Sequence, residues 1–239
     1  LKVIKTRPKL RLSVVIPTYN ESDNIEELLE VLASRSDESR MEVIVMDSPK
    51  TTDATGDIAK NCGAQVHRCA QGSRACQLHA GVAKATNEVL FFVHADTRPP
   101  ENFDELIYDS LAKGNDFGMF SYRFDKTSRL LDINSSTTRK KGVFTGGGDQ
   151  GMFIRKETYL AQGGFNTELC IMEDFDFYWR LKKAKVPFEI IPQDMLVSAR
   201  KYERNSYLRV QLVNLATVLG FKLGVNPKRL KKMYVKQLG

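Results

Sequence analysis

Short apolar runs alternate with stripes of helical period along the first half of the chain. Residues 12–17, 42–46, 64–68 and 89–93 are compact runs dominated by Val, Ile, Leu and Phe or held between turn signals, and their length predicts strands. Between them the period lengthens. Ile25, Leu28, Leu29 and Leu32 fall on one helical face, preceded by Asp23 and Glu26 in the D-x-x-E spacing of a capping box. Residues 52–60 read as a short helix ended by Gly63, and residues 73–84 as a helix turning Ala75, Leu78 and Val82 inward. Pro99 and Pro100 open another through Phe103, Leu106, Ile107 and Leu111. Strands alternating with helices predict an α/β fold with a largely parallel, helix-covered sheet.

After residue 115 the pattern changes. Residues 116–124 alternate Phe117, Met119 and Ser121 against Gly118, Phe120 and Tyr122, as a strand does, whereas residues 127–141 carry no clear period. The cluster Gly146-Gly-Gly-Asp-Gln-Gly151 leads into a short strand over 152–154, then a helix over 157–162 stopped by Gly163-Gly164. A helix over 173–184, strands over 188–191 and 196–199, and a helical remainder follow. No repeat or low-complexity linker separates the halves, so one shared core is expected.

Charge sharpens this picture. The 239 residues carry a net +7, yet residues 1–11 hold five Lys or Arg and no acid, and residues 200–239 hold ten against Glu203 alone. Between those ends stand 21 basic and 28 acidic residues, so the body is acidic. That argues against a nucleic-acid partner and for basic flanks that face phosphates or an anionic surface. Cys62, Cys69, Cys76 and Cys170 form no C-x-x-C pair and read as buried free thiols of a reducing compartment rather than zinc ligands. Residues 1–11 lack the apolar segment of a leader, and residues 207–223 are too interrupted by Arg209, Gln211, Asn214 and Lys222 to span a membrane. A cytoplasmic protein is expected, with peripheral contact at the cytoplasmic membrane face.

Acids recur where an α/β sheet presents its ligand crevice: Glu21 after the first strand, Asp47 and Asp96 closing the second and fourth, and Glu173-Asp174 opening a late helix. Each has a plain structural reading beside the chemical one. Asp47 and Asp96 can cap helices, and Glu173-Asp174 can complement a helix dipole. Arg74 can be an exposed helix-start residue, and the glycine cluster a loop without contacts.

Taken in order, Val14-Val-Ile-Pro-Thr-Tyr-Asn-Glu21, Asp47, Gly72-Ser-Arg74, Asp96 and Met172-Glu-Asp-Phe-Asp-Phe-Tyr-Trp-Arg180 resemble the motifs of family 2 glycosyltransferases of the GT-A fold. The resemblance runs over about residues 12–201 and is nearest to a bacterial subgroup with H-A-D-T in place of D-x-D and a G-D-Q-G segment before the E-D helix. It implies a GT-A domain over 12–201, with a nucleotide-sugar-binding half (12–114) and an acceptor-side half (115–201), and a basic helical extension over 202–239. It further implies an inverting, metal-assisted, non-processive transfer of one sugar from a UDP- or GDP-sugar to an acceptor hydroxyl, with lipid-linked hydroxyls among the acceptors to be tested. By the same resemblance Asp174 is the general base and Glu173 orients the acceptor. Pro17, Thr18, Tyr19, Glu21, Asp47, Arg74, Ala95, Asp96, Asp149 and Gln150 line the donor site, and Asp96 holds Mg2+ or Mn2+.

Several positions depart from the family pattern. His94 stands where the first acid of D-x-D belongs, as a second ligand, a donor contact or a plain strand-end residue. Ser48-Pro-Lys-Thr-Thr-Asp53 replaces small residues after Asp47, and no late metal-binding His follows, leaving Arg200, Lys201 or Arg204 to meet the diphosphate. A nucleotidyltransferase, or a non-catalytic nucleotide-sugar or membrane-surface binder, are the competing readings. Finally, Asn226-Pro227 starts a helix whose Leu230, Tyr234 and Leu238 form an apolar line among lysines. That line suits either an anionic leaflet or packing on the domain.

Overall fold

The computed structural model describes residues 10–139 and 145–238. Residues 1–9 of the basic segment 1–11, residues 140–144, which include the end of the stretch 127–141, and residue 239 lie outside the described residues. Nine of the strand and helix expectations have direct counterparts in the first half: β1 (Leu12–Thr18), α1 (Ser22–Ser34), β2 (Met41–Asp47), α2 (Thr55–Asn61), β3 (Gln65–Arg68), α3 (Arg74–Lys84), β4 (Val89–Phe92), α4 (Phe103–Ala112) and, opening the second half, β6 (Phe117–Phe124). A two-residue β5 (Thr97–Arg98), too short to show a period, went unpredicted. The chain continues through α5 (Arg129–Thr138), β7 (Met152–Arg155), α6 (Lys156–Ala161), α7 (Glu173–Lys183), β8 (Phe188–Val197), α8 (Arg200–Arg204), α9 (Tyr207–Lys222) and α10 (Pro227–Leu238).

All eight strands join one mixed sheet in the order β3-β2-β1-β4-β7-β6-β8-β5. The first four are parallel neighbours, and the run reverses direction between β1 and β4. At such a switch point the loops after the two strands part and leave a crevice at their carboxyl ends. β7 then pairs antiparallel to both β4 and β6, so the second half extends the same sheet. Buried side chains on its two faces form two cores, each drawing on both halves: Leu12, Val14, Phe91, Phe120 and Phe153 on one, Val15, Ile44, Phe92, Phe117 and Phe177 on the other. Such two-sided burial is why these strands read as continuous apolar runs.

Four local expectations are corrected. No capping box forms at α1, because the helix starts at Ser22 and leaves Asp23 inside its first turn. The Ser22 N–H is instead satisfied from outside by Asp53, which also accepts from Thr55. Residues 52–54 therefore serve that loop and α2 begins later. Pro99-Pro100 do not open α4: a residue before proline is pushed out of the helical region, and Asn102 adopts φ 54° before Phe103 begins the helix. The two strands expected over 188–199 are one, bent by an irregularity at Pro192-Gln193, where the pairing jumps from Phe120↔Ile191 to Ser121↔Asp194. Finally, Cys62 is exposed; the described cysteines are free thiols.

Gly118 marks the tightest point of the sheet. A Cβ there would lie 2.8 Å from the Glu189 carbonyl oxygen and inside the Phe153 ring. Gly118→Ala should destabilise the fold by about 1–3 kcal/mol, the usual cost of overpacking, read as a lower denaturant midpoint with unchanged slope.

Candidate active site

Two loops border the switch-point crevice. The first, after β1, carries Pro17, Thr18, Tyr19, Asn20 and Glu21. Asn20 adopts φ 52°, which turns the chain sharply into α1 and sets Glu21 at its start. Tyr19 is exposed, whereas Thr18 is buried and donates its hydroxyl to Asp47 (2.9 Å). Asp47 accepts a second hydroxyl from Thr51 (2.6 Å) through the same oxygen, and its other oxygen lies 4.0 Å from Arg68. A residue absent from the sequence reading ties these strand ends together: buried Gln77 of α3 donates to the carbonyls of Thr18 and Met46.

The second loop, after β4, is His94-Ala95-Asp96. Here too an unpredicted residue sets the geometry. Arg98 is buried and donates to the carbonyls of Ala95, Thr97 and Asn24 while pairing with Glu27 of α1. The β5–β8 register then brings Ser198 N–H onto the Asp96 carbonyl and places Arg200 over the crevice. Its guanidinium meets Asp96 at 2.8 Å and Glu21 at 3.4 Å, so one cation spans both loops. Of the three basic residues weighed for a charge role, Lys201 donates to the Tyr234 hydroxyl of α10 at 2.7 Å, and its charge also acts on Asp149.

His94 and Asp96 face opposite ways. His94 turns to the G-D-Q-G loop, its Nδ1 3.5 Å from Asp149, whereas Asp96 meets Arg200. Burial and the Arg74 charge act against its protonation, but Asp149 and Asp174 outweigh them and raise its pKa. Burial likewise opposes ionisation of Asp149, yet His94 holds its carboxyl down at about 2. α7 delivers the remaining acids. Its N-terminus follows Met172 at φ 69°, a left-handed conformation costing a non-glycine residue about 1–2 kcal/mol. Arg74, at the start of α3, pairs with both: Nε with Glu173 and Nη2 with Asp174 at 3.1 Å. Burial, aided by Glu173, pushes the Asp174 carboxyl up to about 6 in spite of Arg74 and His94. For Glu173 the balance is reversed, because the Arg74 charge and hydrogen bond overcome burial and keep it below the usual range.

Glycine chemistry explains how these groups converge. A Cβ on Gly148 would stand 2.7 Å from Asp174 Oδ2 and inside the His94 ring, so the G-D-Q-G turn can pass between them only as bare backbone. Two of the expected site residues are turned inward. Gln150 is turned into the fold, accepting from Gly146 N–H and donating to the Phe120 carbonyl, and so fixes the loop. Glu173 is 1% exposed and faces Arg74.

A divalent cation can be tested against this donor set. Among the described residues no three His, Cys, Asp or Glu side chains converge as a metal cage. Asp96 is partly exposed and already attracts a positive group, which suits a hard cation held by one carboxylate with phosphate and water completing its shell. The cysteines likewise offer no zinc site among the described residues.

Comparisons with known proteins place this arrangement. The chain is 27% identical over 218 residues to the 4,4'-diaponeurosporenoate glycosyltransferase of Staphylococcus haemolyticus, covering 80% of this chain and 57% of that protein. It is 27% identical over 118 residues to the dolichol-phosphate mannosyltransferase of Pyrococcus furiosus, covering 47% and 33%. The chain thus spans about a third to just over half the length of these relatives. Among solved structures, the mannosyltransferase PcManGT of Pyrobaculum calidifontis, in complex with GDP-Man and Mn2+, superposes with a TM-score of 0.66 at 19% identity, covering 89% of this chain and 63% of that one. TarS 1–349 of S. aureus, in complex with UDP-GlcNAc, also gives 0.66, at 16% identity, covering 96% and 72%. The fold is therefore GT-A. Residues 13–170 match the Glycosyl transferase family 2 profile, and with most of the crevice inside that span, the chain belongs to family 2 of the glycosyltransferases.

Proposed function

We propose that this chain is an inverting, metal-assisted, non-processive glycosyltransferase of the H-A-D-T subgroup, moving one sugar from a UDP- or GDP-sugar to an acceptor hydroxyl. The observation that carries the reading is Asp174: a buried carboxyl lifted to about 6, fixed by Arg74 beside a crevice between β1 and β4. At neutral pH it is ionised and close enough to solution pH to accept a proton. In this reading Asp174 takes the acceptor hydroxyl proton as that oxygen attacks the anomeric carbon. Glu173 positions Arg74, which keeps Asp174 aimed and offers charge to the donor phosphates. Pro17, Thr18, Tyr19, Glu21 and Asp47 hold the nucleoside, and Ala95 and Asp149 flank the sugar. Asp96 would hold Mg2+ or Mn2+, whose charge stabilises the departing nucleotide diphosphate. Family membership weighs against a nucleotidyltransferase, and the tuned base weighs against a pure binder.

A cytoplasmic protein resting on an anionic leaflet remains part of this reading, but through a different helix from the one expected. Leu230 of α10 is buried, and Lys201 holds Tyr234, so the apolar line of α10 is spent on packing against α9. The outer face of α9 instead exposes Leu208, Leu212, Leu215 and Leu219 at helical spacing, flanked by exposed Arg209 and Lys222. A helix apolar on both faces calls for a second apolar neighbour. The basic residues around it suit anionic headgroups, at ~1 kcal/mol for each nearby Lys or Arg. Among the described residues no helix is long and apolar enough to cross a membrane.

Three outcomes follow from this reading. With a panel of UDP- and GDP-sugars and Mn2+, Asp174→Asn should lower release of nucleotide diphosphate by ~10²- to 10⁴-fold with little change in donor affinity, and more than half of wild-type turnover would exclude Asp174 as base. Because the base must be ionised, wild-type kcat/KM should fall as pH drops through about 6, and a rate flat from pH 7.5 to 5 would contradict the assignment. In sedimentation with phosphatidylglycerol vesicles, the protein should bind at low salt, release at high salt, and lose binding on joint Leu212→Glu and Leu219→Glu substitution. Equal recovery with phosphatidylcholine vesicles would remove the leaflet from the proposal.

A further inference from the structure

The crevice already contains a cation of its own. Arg200 is the first residue of α8, its side chain about half exposed, and its guanidinium contacts the carboxylates of Glu21 and Asp96 from the two sides of the β1/β4 switch point. Neither partner is a mobile surface acid. Glu21 is held by Asn24, which donates to its other oxygen at 2.7 Å, and Asp96 is held through its backbone by Ser198. A guanidinium keeps its charge at any physiological pH, so this pairing does not titrate away.

We propose that Arg200 is an exchangeable counter-ion: in the free protein it occupies the Glu21–Asp96 carboxylates, and on donor binding it yields Asp96 to the divalent cation and moves onto the diphosphate. Charge balance favours the exchange. Two carboxylates with one guanidinium leave a single uncompensated negative charge, a weak attraction for a divalent ion. Removing Arg200 from Asp96 restores the full carboxylate charge while supplying a phosphate ligand. Because Arg200 starts a short helix and its side chain borders solvent, it can swing outward without unpacking the core. The consequence is ordered recognition: metal alone competes with Arg200 and binds weakly, whereas metal with a nucleotide diphosphate gives Arg200 a new partner. The departure from D-x-D fits the same logic, since with His94 turned toward Asp149 a single acid is left on this side of the loop to shift between counter-ions.

This inference rests on the proposed metal role of Asp96, and its test separates the two. Free Mn2+ can be counted by its EPR signal during titration of the nucleotide-free protein. Arg200→Gln should tighten binding of Mn2+ alone by on the order of two- to fivefold, because an attractive competitor of ordinary ion-pair strength is gone. The same variant should bind Mn2+ with UDP or GDP more weakly than wild type. Arg200→Lys, which retains the charge, should stay near wild type in the metal-only titration and guards against an effect of altered folding. Unchanged or weaker Mn2+ binding by Arg200→Gln, with a site still lost in Asp96→Asn, would overturn the exchange alone. Mn2+ binding unaffected by Asp96→Asn would overturn the metal role beneath it.

Discussion

The contact on which the site depends is the one between Arg74 and the two acids of α7. It joins residues 99 and 100 positions apart and bridges the nucleotide-side helix α3 to the helix that carries the proposed base. Without it, two buried carboxyls would lie side by side with their charge uncompensated, and at least one would have to take up a proton at neutral pH. With it, the pair divides: Glu173 is committed to the ionised form and Asp174 is left poised. One arginine thus helps make two different carboxyls from adjacent positions: its charge and hydrogen bond overcome burial at Glu173, whereas burial and the neighbouring Glu173 prevail at Asp174.

A second constraint follows from sheet topology. The switch between β1 and β4 opens the crevice, but the antiparallel β7 and the long β8 decide what reaches it. β7 follows the G-D-Q-G turn, so its pairing with β4 sets Gly148 against His94 and Asp174. β8 ends where β5 pairs with it, and that small register is enough to swing Arg200 over Asp96. The acidic body and the basic end therefore meet inside the crevice as well as on the outer surface.

Much of the fold was legible because burial on both sides of a sheet leaves uninterrupted apolar runs, and helices leave a 3.6-residue stripe. What escaped was set by tertiary pairing. β5 has only two residues, and β8 continues through Pro192 because an irregularity absorbs it. The acids at strand ends were readable from position, as was the family resemblance, whereas their orientation was not. Glu173 and Gln150 stand in motifs that mark the site yet turn inward to hold Arg74 and the glycine loop. Gln77 and Arg98 carried no local signal in the sequence, and their importance comes from the carbonyls that the strand ends leave unpaired.

Trp179 lies on α7 one turn beyond Phe175, its ring 6.1 Å from Phe221 of α9 and beneath the Lys222 ammonium. It is the sole tryptophan of the chain. The indole therefore sits at the seam between α7 and α9, sensitive to the polarity and charge of that seam. Its emission is a built-in optical gauge of whether α9 is seated, one that needs no label and is read in the same molecule whose chemistry is being followed.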